Sequence, residues 1–162
     1  MQGVQRIIDL LNKQLTMELS SMDQYLAHAK MYEDWGIEKL HAQLTHEIEE
    51  EVEHTRRIVE RILFLEGKPD TASRNPIKVG SNVEEMLGND LAAEKEVAES
   101  LRSLITACEE ERDYVTREML EELLNDTEMD HIYWLEQHVG LIKLIGLPNY
   151  IQSQMSGGPS GS

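Results

Sequence analysis

The chain has 162 residues, 40% of them hydrophobic and 28% charged, which is ordinary for one soluble domain with a real core. Its net charge of −16 excludes a nucleic-acid binder, because phosphate contacts need stripes of Lys and Arg and none is present; such an acidic field draws in cations instead. The single cysteine, Cys108, excludes a disulfide framework and any CxxC metal knuckle, and aromatic residues at 5% favour helices over sheet.

The N-terminal stretch MQGVQRIIDLLNKQL has no long apolar run, and no later window approaches the roughly 20 apolar residues of a membrane span, so a cytoplasmic chain without a membrane partner is expected. Apolar residues recur at helical spacing from Val4 to about Glu33, with Gly36 after Trp35 as a left-handed stop. A second helical pattern runs from Ile37 to Leu65 and ends at Gly67. Residues 67–82, GKPDTASRNPIKVGSN, have no period and read as a connection. Ser81 and Glu84 have the spacing of a capping box that opens a third helix, which continues to about Glu111 despite Gly88. The fourth pattern extends from about Tyr114 to Val139, where Gly140, Gly146 and Pro148 break it. Residues 149–155 fit a short extra helix, and the terminal SGGPSGS, 156–162, reads as a disordered tail.

The first and second helices are joined by a tight turn, as are the third and fourth, so each pair is antiparallel. The middle connection is different. A second helix of this length spans about 43 Å, and 16 extended residues reach about 50 Å, so the connection is long enough to cross the bundle and leave helices two and three parallel.

Reading each helix in alternating steps of three and four residues exposes its buried stripe. The stripes run Leu11, Leu15, Glu18, Met22, Tyr25; then Leu44, Ile48, Glu51, Thr55, Ile58; then Leu87, Leu91, Glu94, Ala98, Leu101; and finally Leu124, Glu128, His131, Leu135, His138. Each carries one glutamate near its middle. Within each hairpin the two glutamates fall at similar heights, and the separations are nearly equal, 33 residues from Glu18 to Glu51 and 34 from Glu94 to Glu128. Each second glutamate is followed three residues later by a histidine, His54 or His131, on the same helix face. Four carboxylates in a dry core are prohibitively costly unless protonated or paired, and no Lys or Arg occupies these stripes. Two divalent metals supply the missing charge, with two neutral imidazoles completing the ligand shell. Oxygen and imidazole ligands without thiolate suit iron or manganese.

On these residues the chain resembles the bacterioferritins, through NKQLTMELSSMDQYLAHAKMYEDWG, RRIVERILFLEG, NVEEMLGNDLAAE, RDYVTREML and HIYWLEQ. The resemblance implies an all-α fold, a ferritin-like four-helix bundle with a long crossover between helices two and three and a short C-terminal helix. It spans 1–155 as one di-iron domain. It also implies that Glu18, Glu51, His54, Glu94, Glu128 and His131 are ferroxidase ligands of a dinuclear iron centre, and that the chain assembles as a homo-oligomer into a hollow cage of about 24 subunits holding ferric mineral. Fe(II) and oxygen or hydrogen peroxide would be the substrates. Tyr25 would stand beside the metals as an electron-transfer residue or as core packing, and His46 with Glu50 resembles an inner-surface iron site. The family's haem-ligating methionine is replaced by Val52, so haem b is not expected on this chain, and a mixed cage with a haem-binding sister subunit fits. DTEMDH, residues 126–131, carries one residue more than many relatives, which a π-bulge would absorb at the risk of re-aiming Glu128.

Three functions fit these residues: an iron-storing ferroxidase, a non-storing di-iron oxidase or peroxide scavenger of rubrerythrin-like type, and a structural bundle binding zinc or manganese. Trp35 and Trp134 read as packing residues, Cys108 as a small core residue, and His28, His41 and His138 have no partner pattern.

Overall fold

The computed structural model describes residues 1–155, and the disordered tail expected over 156–162 lies outside them. Helices α1 (Gln5–Asp34), α2 (Glu38–Phe64) and α3 (Val83–Glu110) are followed by α4 (Tyr114–Asp126), a π-helical turn (Thr127–Ile132), α5 (Tyr133–Ile145) and α6 (Leu147–Gln154). The segment from α4 to α5 is continuous and acts as the fourth rod of a four-helix bundle. Among the described residues there is no strand, and no helix is long and apolar enough to cross a membrane.

Local chemistry sets most boundaries. Gly36 adopts φ +78°, the left-handed conformation that ends α1, and Ile37 N–H closes the turn on Tyr32 O at 2.9 Å. The cap of α3 lies one residue later than the Ser81 and Glu84 spacing predicts: Asn82 Oδ1 accepts from Glu85 N–H at 2.9 Å. Asp113 caps α4 in the same way through Thr116. The break expected at Gly140 is absent, because a helix tolerates a single glycine at a modest cost. α5 continues to Gly146, whose φ of +83° is what stops it. Pro148 then sits in the first turn of α6, where a missing N–H costs nothing.

The path of the middle connection is written in side-chain hydrogen bonds from α1. Asn12 pairs with Lys68 O and Asp70 N, Ser20 with Asn75 N, Gln24 with Lys78 N, and His28 with Gly80 N. The connection therefore travels the length of α1, from its N-terminal end to near its C-terminal end. α3 then runs back along α1, with Asp90 bonded to Gln24 and His28, Glu94 to Tyr25, and Ser100 to Gln14. Since α2 is also antiparallel to α1, helices α2 and α3 are parallel, and the crossover that chain length only permitted is present.

Two apolar clusters fill the bundle. One gathers Leu11, Leu15, Ile58, Ile62, Leu101, Leu120 and Leu123 at one end; the other gathers Tyr32, Leu40, Leu44, Met86, Leu87 and Leu135 at the opposite end. Each such buried side chain contributes roughly 1.5–3 kcal/mol. Between the clusters lies a polar layer.

Candidate metal centre

The polar layer is built by four rods at one height. Glu18, Glu51, Glu94 and His131 are at most 1% exposed and His54 is 2% exposed. Glu18, Glu51 and His54 each offer a ligand atom within 4.8 Å of one another, and so do Glu51, Glu94 and His131. Glu51 belongs to both groups. Five of the six ligands expected from the stripes therefore come together, and the sixth does not.

Glu128 lies on the outer side of the fourth rod, where it accepts from Arg102 Nη2 at 2.7 Å. The π turn explains this placement. In an α-helix residues three apart differ by about 60° in direction, but a turn closed by i→i+5 hydrogen bonds holds about one more residue, and the same pair then differs by roughly 120°. The ExxH face shared by Glu51 and His54 is thus lost between Glu128 and His131. Thr127 takes the inward position instead, fully buried, with its hydroxyl donating to Leu123 O at 2.9 Å. Up to that point the buried stripe is Thr116, Leu120, Leu123 and Thr127, one residue earlier than the expected Leu124 and Glu128.

The remaining contacts complete the layer. Gln14 Nε2 donates to Glu18 Oε1 at 3.2 Å and is itself held by Ser100. Tyr25 donates its hydroxyl proton to Glu94 Oε1 at 2.6 Å. His131 Nδ1 lies 3.3 Å from Glu94 and 3.4 Å from Glu51, while its Nε2 faces Glu50 at 2.7 Å and Glu47 at 2.6 Å. One N–H serves one acceptor well; Glu50 takes it, and Glu47 Oε2 stays buried without a hydrogen bond of its own. Glu50 continues outward to His46, 2.8 Å away and more than half exposed. Sequence reading missed Glu47 because its stripe stepped from Leu44 to Ile48; the step of three to Glu47 is the buried one.

Burial, and then the neighbouring Glu51 carboxylate, push Glu18 well above the usual carboxylate range. Burial raises Glu51 as well. Burial alone would lower His131, yet Glu94, Glu47, Glu50 and Glu51 together hold it far above its ordinary value. Burial, reinforced by Glu94, keeps Tyr25 a neutral phenol. A carboxylate with a raised pKa keeps its proton in the folded chain and loses it in the unfolded one. Its stabilisation is complete below 4.5 and declines as pH rises through the folded value. In metal-free protein, Glu18→Gln will therefore gain stability over wild type with rising pH, by up to about 1.4 kcal/mol per unit, readable by thermal unfolding between about pH 5 and 7. A pH-independent gap would mean that Glu18 is ionised throughout.

Four ligand atoms in this layer, Glu18 Oε2, both oxygens of Glu51, and His54 Nδ1, are buried without hydrogen-bond partners. A proton satisfies such a group only in part, and a bound cation would satisfy the whole set. The sequence matches the family described as a Ferritin-like domain over residues 8–145. The chain belongs to the ferritin family. Relatives include the bacterial ferritins of Synechocystis sp. and Pseudomonas aeruginosa, each 49% identical over 96% of this chain and 100% of the relative. The bacterioferritin of Brucella melitensis is 35% identical over 94% of each chain. This ferritin is accordingly an iron-storage protein of a family that couples storage to ferroxidase activity and builds oligomeric cages.

Other residues of this ferritin find plain roles. His28 and His138, which lacked a partner pattern in the sequence, both have one. His28 bridges Asp90 and Gly80 N–H, and His138 stacks on Trp134 with its Nδ1 2.6 Å from the Tyr150 hydroxyl. His41 pairs with Ala29 O and Glu33. Trp35 is 43% exposed, so it packs less than its type predicts. Burial pushes the Cys108 thiol up to about 12, leaving it inert.

Proposed function

We propose that this ferritin oxidises Fe(II) at a dinuclear centre within each chain and passes the ferric product to a mineral store inside a cage of 24 subunits. The observation that carries this reading is the set of unpartnered, buried ligand atoms on Glu18, Glu51 and His54, next to Glu94 and His131. Two Fe(II) ions are the substrates that satisfy them. Glu18, Glu51 and His54 bind one; Glu51, Glu94 and His131 bind the other. Glu51, which belongs to both groups, would be shared by the pair.

The chain's own groups manage the protons. Glu18 and Glu51 give up theirs when the cations arrive, and His131 gives up the Nδ1 proton that faces Glu94 and Glu51, which frees that lone pair while Nε2–H stays on Glu50. The two Fe(II) give up two electrons, which take hydrogen peroxide to water or oxygen to hydrogen peroxide, and Tyr25 keeps its proton, hydrogen-bonded to Glu94 2.6 Å away, as a neighbour of the centre. The oxidant is oxygen or hydrogen peroxide. His46 and Glu50 extend from His131 toward the surface and serve as an iron site on the product side of the centre. Val52 is half exposed and has no donor atom, so this chain contributes no haem ligand; any haem in a mixed cage comes with a sister subunit. A reducing cytoplasm suits the one free, buried cysteine.

The test is the iron retained per chain after aerobic Fe(II) loading and desalting of metal-free protein. Retention far above the roughly two ions of a dinuclear centre is expected. Retention near two would overturn storage in a cage and leave a di-iron oxidase.

A further inference from the structure

The two ring nitrogens of His54 have different surroundings. Nε2 lies 3.2 Å from Asp126 Oδ2, whereas Nδ1 is buried without a partner. An ionised carboxylate can only accept, so the proton of a neutral imidazole sits on Nε2 and Nδ1 keeps its lone pair. We propose that Asp126 is a positioning residue of the centre: it holds His54 in this tautomer and aims Nδ1 at the metal bound by Glu18 and Glu51. The inference rests on the dinuclear reading given above.

The π turn makes the arrangement possible. Asp126 is the last residue of α4 and stands five residues before His131. In a continuous α-helix residues five apart point about 140° away from each other, and the wider turn cuts this to roughly 50°. One rod can then send Asp126 to His54 and His131 to Glu94. The same inserted turn that removes Glu128 from the layer thus keeps a carboxylate of this rod at the centre. His131 repeats the pattern, with Nδ1 toward Glu51 and Glu94 and Nε2 on an outward carboxylate, Glu50. Both histidines of the layer therefore have an acidic partner behind the ring. Such a partner fixes ring orientation and raises the basicity of the ligating nitrogen, and its loss typically weakens metal binding 10- to 100-fold.

Co(II) titration of the metal-free, assembled full chain, followed by its visible absorption, tests this. Wild type should take up two Co(II) per chain at the centre. Asp126→Ala should weaken one of the two by about 10- to 100-fold and shift its absorption bands, leaving the other unchanged. Asp126→Asn, which still accepts from Nε2–H, should recover most of the loss. Glu122→Gln, on the same exposed acidic surface, should bind as wild type. The proposal is overturned if Asp126→Ala titrates as wild type while His54→Ala loses one Co(II). Equal losses in Asp126→Ala and Glu122→Gln would also overturn it, by assigning the effect to surface charge. If His54→Ala keeps both Co(II), the dinuclear reading itself fails.

Discussion

Glu51→Ala will lower the rate of Fe(II) oxidation by roughly 100-fold or more, since even partners behind the ligands are worth 10- to 100-fold in comparable sites. Glu51 alone belongs to both candidate ligand groups, and both its oxygens are buried and unpartnered. Its loss removes a carboxylate from each candidate group at once and leaves Glu18 and Glu94 with no carboxylate between them. Glu128→Ala is the matched comparison. Glu128 is bonded to Arg102 on the outer side of the rod, and this exposed pair is worth at most about 1 kcal/mol. Stopped-flow oxidation should therefore leave Glu128→Ala within about twofold of wild type while Glu51→Ala shows only slow background oxidation. Comparable losses in both variants would show that the π turn re-forms as α-helix when iron binds.

Asp90→Ala will cost about 2–5 kcal/mol of stability without touching a candidate ligand, because it strands two buried donors at about 1–3 kcal/mol each. Asp90 is 1% exposed and accepts from Gln24 Nε2 at 2.8 Å and His28 Nδ1 at 2.9 Å. Gly80 N–H donates to His28 Nε2, so that nitrogen is the acceptor and Nδ1 carries the proton that Asp90 receives. Gln24 likewise holds Lys78 N–H. One carboxylate thus orders both side chains that pin the end of the crossover to α1, and its loss loosens the strap as well as the core. A drop of roughly 10 °C in the unfolding midpoint is expected for a chain of this size. Proteolysis within residues 70–80 should quicken in parallel. A shift below about 2 °C would mean that water replaces the carboxylate at no cost.

Most of the buried polar layer was legible in the sequence, for a reason that also marks where legibility ended. Glu18, Glu51, His54 and Glu94 lie on regular α-helices, where a period of 3.6 residues converts spacing into direction, and a charged residue on a buried stripe identifies itself. His131 was found by the same rule, although the turn before it breaks that rule. The period fails over Thr127–Ile132, and there the side chain of Glu128 turns away from the layer to Arg102. An extra residue in DTEMDH marked the place, but the direction each side chain would take depended on which hydrogen bonds the turn closed.

Glu47 and Asp126 were illegible in a different way. Nothing local distinguishes them from the surrounding acidic residues; their roles come from His131 and His54, which meet them across helix interfaces. The crossover was similar, since chain length allowed it and the bonds from Asn12, Ser20, Gln24 and His28 decided it. The sequence by itself thus determined the helices and the buried acidic layer, because periodicity and the cost of burying charge are properties of single segments. The tertiary structure alone decided which carboxylate stands behind each histidine and which glutamate is turned away, because those depend on the register of one helix against another.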